Sequence, residues 1–124
     1  MVEKRGIRNI TFAGFVDDRE LNSLYRFATC YVFPSLYEGF GLPPLEAMTR
    51  GLPILSSSRG SLPEILGEAA LYFDPHDVES LKKRLTEILD SKVLREELSL
   101  RGYAQVSQYS FERMAKETLK IYLS

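Results

Sequence analysis

Two glutamates, Glu38 and Glu46, stand eight positions apart in the stretch PSLYEGFGLPPLEAMTRG, residues 34–51. Between them lie two glycines, an aromatic residue and a proline pair. A carboxylate pair can act as acid and base on a glycosidic bond, but this glycine-proline segment suits a diphosphate better. Gly39 and Gly41 allow positive φ and let another molecule approach the backbone closely. Pro43 and Pro44 fit the first turn of a helix, where N–H groups have no internal partner. Strand end, glycine turn and helix start, in that order, present backbone N–H groups to an anion. The prolines remove two donors, so the amides of Phe40, Gly41 and Leu42 are those left to hold a phosphate.

The flanking elements must carry this stretch. Cys30-Tyr31-Val32-Phe33 is an apolar run suited to a strand buried on both faces of a parallel sheet, and Pro34 ends its ladder. After the turn, Leu45, Met48, Thr49 and Leu52 share one helical face. Glu46 lies about 100° around the helix from Leu45, at the edge of that stripe and near the mouth of any cleft. Gly51 is placed to stop the helix and Pro53 blocks its continuation. Upstream, Gly6 stops the tail of a helix, and Asn9 to Ala13 read as a strand. A helix follows from about Asp18 to Ala28, capped by Asp17 or Asp18, with Leu21, Leu24, Tyr25 and Ala28 inward. Downstream, residues 53–57 and 70–73 read as strands, with a helical turn around Pro63 to Leu66 between them. Strands alternating with helices at this spacing predict βαβ units and an α/β parallel sheet of about four strands. The rest is helical: 78–90 capped by Asp77, with Leu81, Leu85, Ile88 and Leu89 inward, then about 92–107. A last helix capped by Ser110 puts Phe111, Met114, Ala115, Thr118, Leu119 and Tyr122 on one face. Ligands of open parallel sheets bind outside the carboxyl ends of the strands. Here those ends are Gly14 to Val16, Ser35 to Gly41, Ser57 to Ser61, and Asp74.

Composition narrows the chemistry. The chain has 124 residues, 44% hydrophobic and 27% charged, with net charge −1. That length suits a single domain, and the charge balance argues against nucleic acid as the main partner. One cysteine excludes an internal disulfide, and one histidine beside it makes a zinc site improbable. No run approaches the roughly 18 apolar residues of a membrane span, and the N-terminus has no apolar signal core. A cytoplasmic location is expected. Cys30 reads as a small core residue and His76 as a turn residue. Lys4, Arg5 and Arg59 read as solvated charges, while Glu64 is balanced between helix capping and support of the site.

The segment Glu38-Gly39-Phe40-Gly41-Leu42-Pro43-Pro44-Leu45-Glu46-Ala47-Met48 resembles the E-x7-E motif of retaining glycosyltransferases of the glycosyltransferase family 4 type, group 1. The resemblance continues in order through NITFAGFV, Leu21 to Phe33, GSLPE, ALYFDP and the terminal YSFERMAKETLKIY. It implies a Rossmann-like sheet, with residues 1–124 a single partial domain: the nucleotide-sugar-binding C-terminal part of a two-domain GT-B fold. Glu38 then matches the glutamate near the donor sugar hydroxyls and is the candidate catalytic residue. Gly39, Phe40, Gly41 and Leu42 match the segment that meets sugar and diphosphate. Glu46 matches the glutamate that holds the ribose, since a carboxylate accepts two charge-strengthened hydrogen bonds from vicinal hydroxyls. Val16 matches the region near the base.

The implied reaction transfers a hexose from a nucleotide diphosphate sugar to a glycan or lipid-linked acceptor, with retention, as in polysaccharide biosynthesis. No cofactor or metal is expected. GSLPEILGEAALYFDP is similar to branches that use GDP-mannose, with UDP-glucose next. The family's basic pair and its acceptor-binding N-terminal domain match nothing here, so the isolated chain is expected to be inactive. Peripheral membrane association is an expectation for the parent enzyme. The resemblance also implies two strands between Asn9–Ala13 and Cys30–Phe33, hence an exposed sheet edge and self-association. Strictly monomeric behaviour at high concentration would count against that. The alternatives are a stand-alone nucleotide-sugar-binding or regulatory module and a fragment of a GT-B-fold nucleotide-sugar epimerase.

Overall fold

A computed structural model describes residues 5–37 and 40–123. Its sheet has three parallel strands in sequential order: β1 (Tyr31–Phe33), β2 (Ile54–Ser57) and β3 (Ala70–Phe73). Tyr31 pairs with Ile54, and Ile54 pairs in turn with Ala70. Helices α1 (Asp18–Phe27) and α2 (Leu42–Thr49) flank β1 in the chain. Helix α3 (Leu62–Leu66) and a 3-10 turn (Gly67–Ala69) join β2 to β3. Then come α4 (Val78–Asp90), α5 (Lys92–Val106) and α6 (Phe111–Leu123).

Local chemistry explains the helix starts. Asp17 accepts from the Glu20 N–H at 2.8 Å, and the Glu20 carboxylate accepts from the Asp17 N–H at 3.0 Å, a reciprocal capping box. The side chains of Asp77, Ser91 and Ser110 accept from Glu79, Leu94 and Arg113 N–H groups to cap α4, α5 and α6. Helix α2 ends at Gly51, which adopts φ +75°. The Gly51 N–H donates to the Met48 carbonyl and the Leu52 N–H to the Ala47 carbonyl, the double closure of a Schellman motif.

The core forms where α2, α3 and the strands meet. Every residue of β2 is buried, as a central parallel strand requires. Leu45, Ala47, Met48 and Leu52 pack with Ile54, Leu62, Ile65 and Leu66. Met48 and Leu62 are fully enclosed, each contributing roughly 1.5–3 kcal/mol of hydrophobic burial. Helix α5 comes close enough to α2 that a Cβ on Gly102 would lie 3.4 Å from Met48 Cγ.

Several expectations are corrected. Residues 9–13 form no strand, so the described sheet has three strands rather than about four. A strand needs a neighbour to take its backbone groups, and this segment has none in the sheet, leaving Ile10 and Phe12 exposed. Of the inward stripe expected on α1, Tyr25 is buried and Leu21 half-buried, while Leu24 and Ala28 face outward. Thr49 is exposed and donates its hydroxyl to the Glu46 carbonyl. Leu89 is also exposed, and on α6 Met114, Ala115, Thr118, Leu119 and Tyr122 all are. No helix among the described residues is long and apolar enough to cross a membrane.

Candidate functional site

The site is built around the start of α2. Gly41 is its N-cap, in the left-handed region at φ 75° and ψ 43°, with Pro43 and Pro44 in the first turn. No side chain caps this end. A Cβ on Gly41 would sit 3.0 Å from the Leu62 side chain, so glycine answers both the backbone angle and the tight fit against α3. Glu38 and Gly39 lie outside the described residues.

Glu46 sits one turn further along and is exposed, at the rim anticipated from its angle to Leu45. It borders two grooves. One, of about 190 Å³, also includes Phe40, Leu42, Leu45, Val106, Tyr109 and Met114. The other, of about 340 Å³, runs between α1 and α2 and includes Asp18, Asn22, Tyr25 and Arg50. Its far wall is tied shut by Arg50, whose guanidinium donates to the Asn22 side-chain oxygen at 2.6 Å. Burial raises the Tyr25 phenol pKa, and the nearby Glu46 charge raises it further. Val16 lies in a separate groove of about 870 Å³ along α1, with Phe15 and Phe27. Phe40, Leu42 and Glu46 therefore share one groove, and Val16 does not enter it.

The carboxyl ends of β2 and β3 form a second polar cluster. The buried Ser57 hydroxyl accepts from the Arg59 N–H at 3.1 Å. The Ser58 N–H donates to the Phe73 carbonyl. Arg59 reaches Asp74 at 3.5 Å with both side chains about half exposed, so solvent screens this pair. The His76 N–H donates to the Asp74 carboxylate at 2.9 Å. That bond first, and Arg59 after it, hold the Asp74 pKa below 3.8. A depressed folded-state pKa contributes stability above the unfolded value, and the contribution is lost as pH falls through the folded one. Asp74→Asn should therefore flatten the acid limb of the stability profile below about pH 4. Urea midpoints measured from pH 5 to pH 2 (about) give the check, and equal slopes for both proteins would refute it.

The other candidates are placed plainly. Arg5, Glu64 and His76 are exposed, and Lys4 is outside the described residues. Cys30 is half-buried and its thiol pKa is raised by burial. Sequence reading missed Asn22 and Arg50, which lie 28 positions apart and meet only in the fold. It missed Tyr109 as well, although an apolar residue just before the Ser110 cap, with Met114 four positions after the cap, is a staple signature.

A sequential parallel sheet with a glycine-turned helix start beside its first strand end is an α/β arrangement built from βαβ units. The sequence profile described as glycosyl transferases group 1 matches residues 1–105, and the chain belongs to that family. It is 42% identical over 121 residues to O-antigen chain mannosyltransferase B of Escherichia coli, covering 96% of this chain and 32% of that protein. Sucrose-phosphate synthase from Thermosynechococcus elongatus matches with a TM-score of 0.85 and 30% identity, over 98% of this chain and 31% of that one. The C-terminal domain of a glycosyl transferase group 1 family protein from Francisella tularensis matches at 0.74 and 31%, over 86% and 57%. The architecture is part of a GT-B fold, and the chain spans about a third of the length of its curated mannosyltransferase relative.

Proposed function

We propose that the chain is the donor-binding part of a retaining hexosyltransferase that moves mannose from GDP-mannose to a glycan or lipid-linked acceptor. The observation that carries this reading is the position of Glu46. It is exposed one helical turn beyond the Gly41 cap, on the groove that also takes in Phe40 and Leu42. A diphosphate at the helix start would meet backbone N–H groups and the positive end of the helix dipole. Glu46 would accept hydrogen bonds from the ribose hydroxyls, and Glu38 would face the sugar. Val16 would stand toward the base, along the α1 groove. The backbone amides at the helix start would take part of the electrostatic task of stabilising charge on the leaving diphosphate. Mannose is placed ahead of glucose because the Escherichia coli relative at 42% identity is an O-antigen mannosyltransferase.

Calorimetry with GDP, UDP and GMP tests this. GDP is expected to bind with a submillimolar Kd, at least about fivefold tighter than UDP, a difference near 1 kcal/mol. GMP should bind more weakly than GDP, because it lacks one phosphate of the diphosphate. No heat with either diphosphate at millimolar concentration would refute donor binding. A preference for UDP would refute the donor assignment alone.

A further inference from the structure

The glycine turn is braced by a residue outside the motif. The Phe40 ring stands edge-to-face against Tyr109, with centroids 5.7 Å apart and planes at 85°. The Tyr109 hydroxyl donates to the Ile65 carbonyl at 3.0 Å, and the Gln105 side-chain amide donates to the same oxygen at 2.6 Å. A carbonyl oxygen has two lone pairs, so both donors are served. The Tyr109 N–H donates to the Val106 carbonyl at 2.9 Å. The ring is thus fixed at both ends, by its backbone to the end of α5 and by its hydroxyl to α3. Gly41, the next residue of the turn, abuts Leu62 of the same short helix. Helix α3 therefore supports the turn twice, directly at Gly41 and through Tyr109 at Phe40.

We infer that Tyr109 is a positioning residue of the donor site: it fixes the Phe40 ring and thereby the backbone amides of Gly41 and Leu42. The inference rests on the donor-binding reading of the turn. Tyr109 borders the same groove as Phe40 and Glu46, and the effect assigned to it runs through the Phe40 ring.

The test compares Tyr109→Leu and Tyr109→Phe in the full chain, with GDP as the probe. Losing the ring contact should raise the GDP Kd about three- to tenfold. Tyr109→Phe keeps the ring and leaves Gln105 on the Ile65 carbonyl, so its Kd should stay within about twofold of wild type. The second readout is backbone 15N relaxation. In Tyr109→Leu the order parameters of Gly41 and Leu42 should fall toward about 0.6, while Ile54 and Leu55 stay near about 0.85. Wild-type order at Gly41 and Leu42 in Tyr109→Leu would overturn the inference. So would a loss spread equally into β2, which marks a purely structural role. Phe40→Leu removes the same contact from the other side and serves where Tyr109→Leu does not fold. Where both fold, the double variant should bind GDP no more weakly than the weaker single, because the two rings act as one unit. Multiplying losses would overturn the inference. If wild type binds no GDP, the donor reading falls, while the relaxation data still decide whether Tyr109 holds the turn.

Discussion

Glu46→Gln is expected to weaken GDP binding about 10- to 100-fold while leaving the unfolding transition in place. Hydrogen bonds to a charged group contribute about 1.5–3 kcal/mol, and each 1.4 kcal/mol (about) is a factor of ten. Glutamine keeps the shape but gives up the charge and one acceptor. Glu46 is exposed on α2, and exposed substitutions commonly change stability by less than about 0.5 kcal/mol. Loss of affinity without loss of stability therefore separates a ligand-holding carboxylate from a structural one. A nucleotide lacking both ribose hydroxyls refines the result. It should bind wild type and Glu46→Gln alike, because the carboxylate then has nothing to hold. The variant also carries an internal reporter. The Glu46 charge helps raise the Tyr25 phenol pKa, so its removal should lower that pKa toward the ordinary value, visible by spectrophotometric titration. Equal GDP affinity in the two proteins would remove Glu46 from the site.

The parts of the fold legible in the sequence are those fixed by local chemistry. Asp77 and Ser110 cap the helices they precede, because a cap needs only a short polar side chain and the next N–H groups. The strands expected at 30–33 and 53–57 pair in parallel, but β1 is only half-buried rather than covered on both faces, and fully buried β2 includes the polar Ser56 and Ser57. Asn9 to Ala13 has a comparable pattern and still forms no strand. Pairing is a property of two segments, and one segment cannot announce the absence of the other. The same reasoning explains α6. Its 3.6-residue periodicity is real, yet Met114, Leu119 and Tyr122 are exposed because periodicity creates a face without supplying its cover. The site divides along the same line. Glu46 at the rim follows from helical angle alone. The Asn22–Arg50 bond, the separate groove of Val16 and the bracing of Phe40 by Tyr109 are tertiary contacts that no local spacing encodes.

Gly51→Ala should cost about 1–3 kcal/mol, a large stability loss for a single methyl group near the site. Two independent penalties meet there. Gly51 holds φ +75°, where a side chain costs about 1–2 kcal/mol. A Cβ would also collide with the Tyr103 hydroxyl and lie 2.9 Å from its ring carbon Cζ. Tyr103 is half exposed and its ring can swing toward solvent, so this contact adds less than core overpacking does, at most about 1 kcal/mol. The local backbone has no easy escape, because the Gly51 and Leu52 N–H groups close the Schellman motif that turns the chain from α2 into β2. Total stabilities of about 5–15 kcal/mol make such a loss a large share of the whole. The two penalties can be separated. In a Tyr103→Ala background the collision is gone, so Gly51→Ala should then cost only the backbone share, about 1–2 kcal/mol. Urea unfolding of the four proteins gives the cycle, and an unchanged cost in the Tyr103→Ala background would show that the collision contributes nothing. GDP titration of Gly51→Ala below its melting temperature adds a functional arm. Helix α2 starts at Gly41 and carries Glu46 in its middle, so a helix whose far terminus is strained should bind more weakly even while the chain is folded. Unaltered affinity would mean that the start of α2 is held by α3 and Tyr109 alone, independently of how the helix ends.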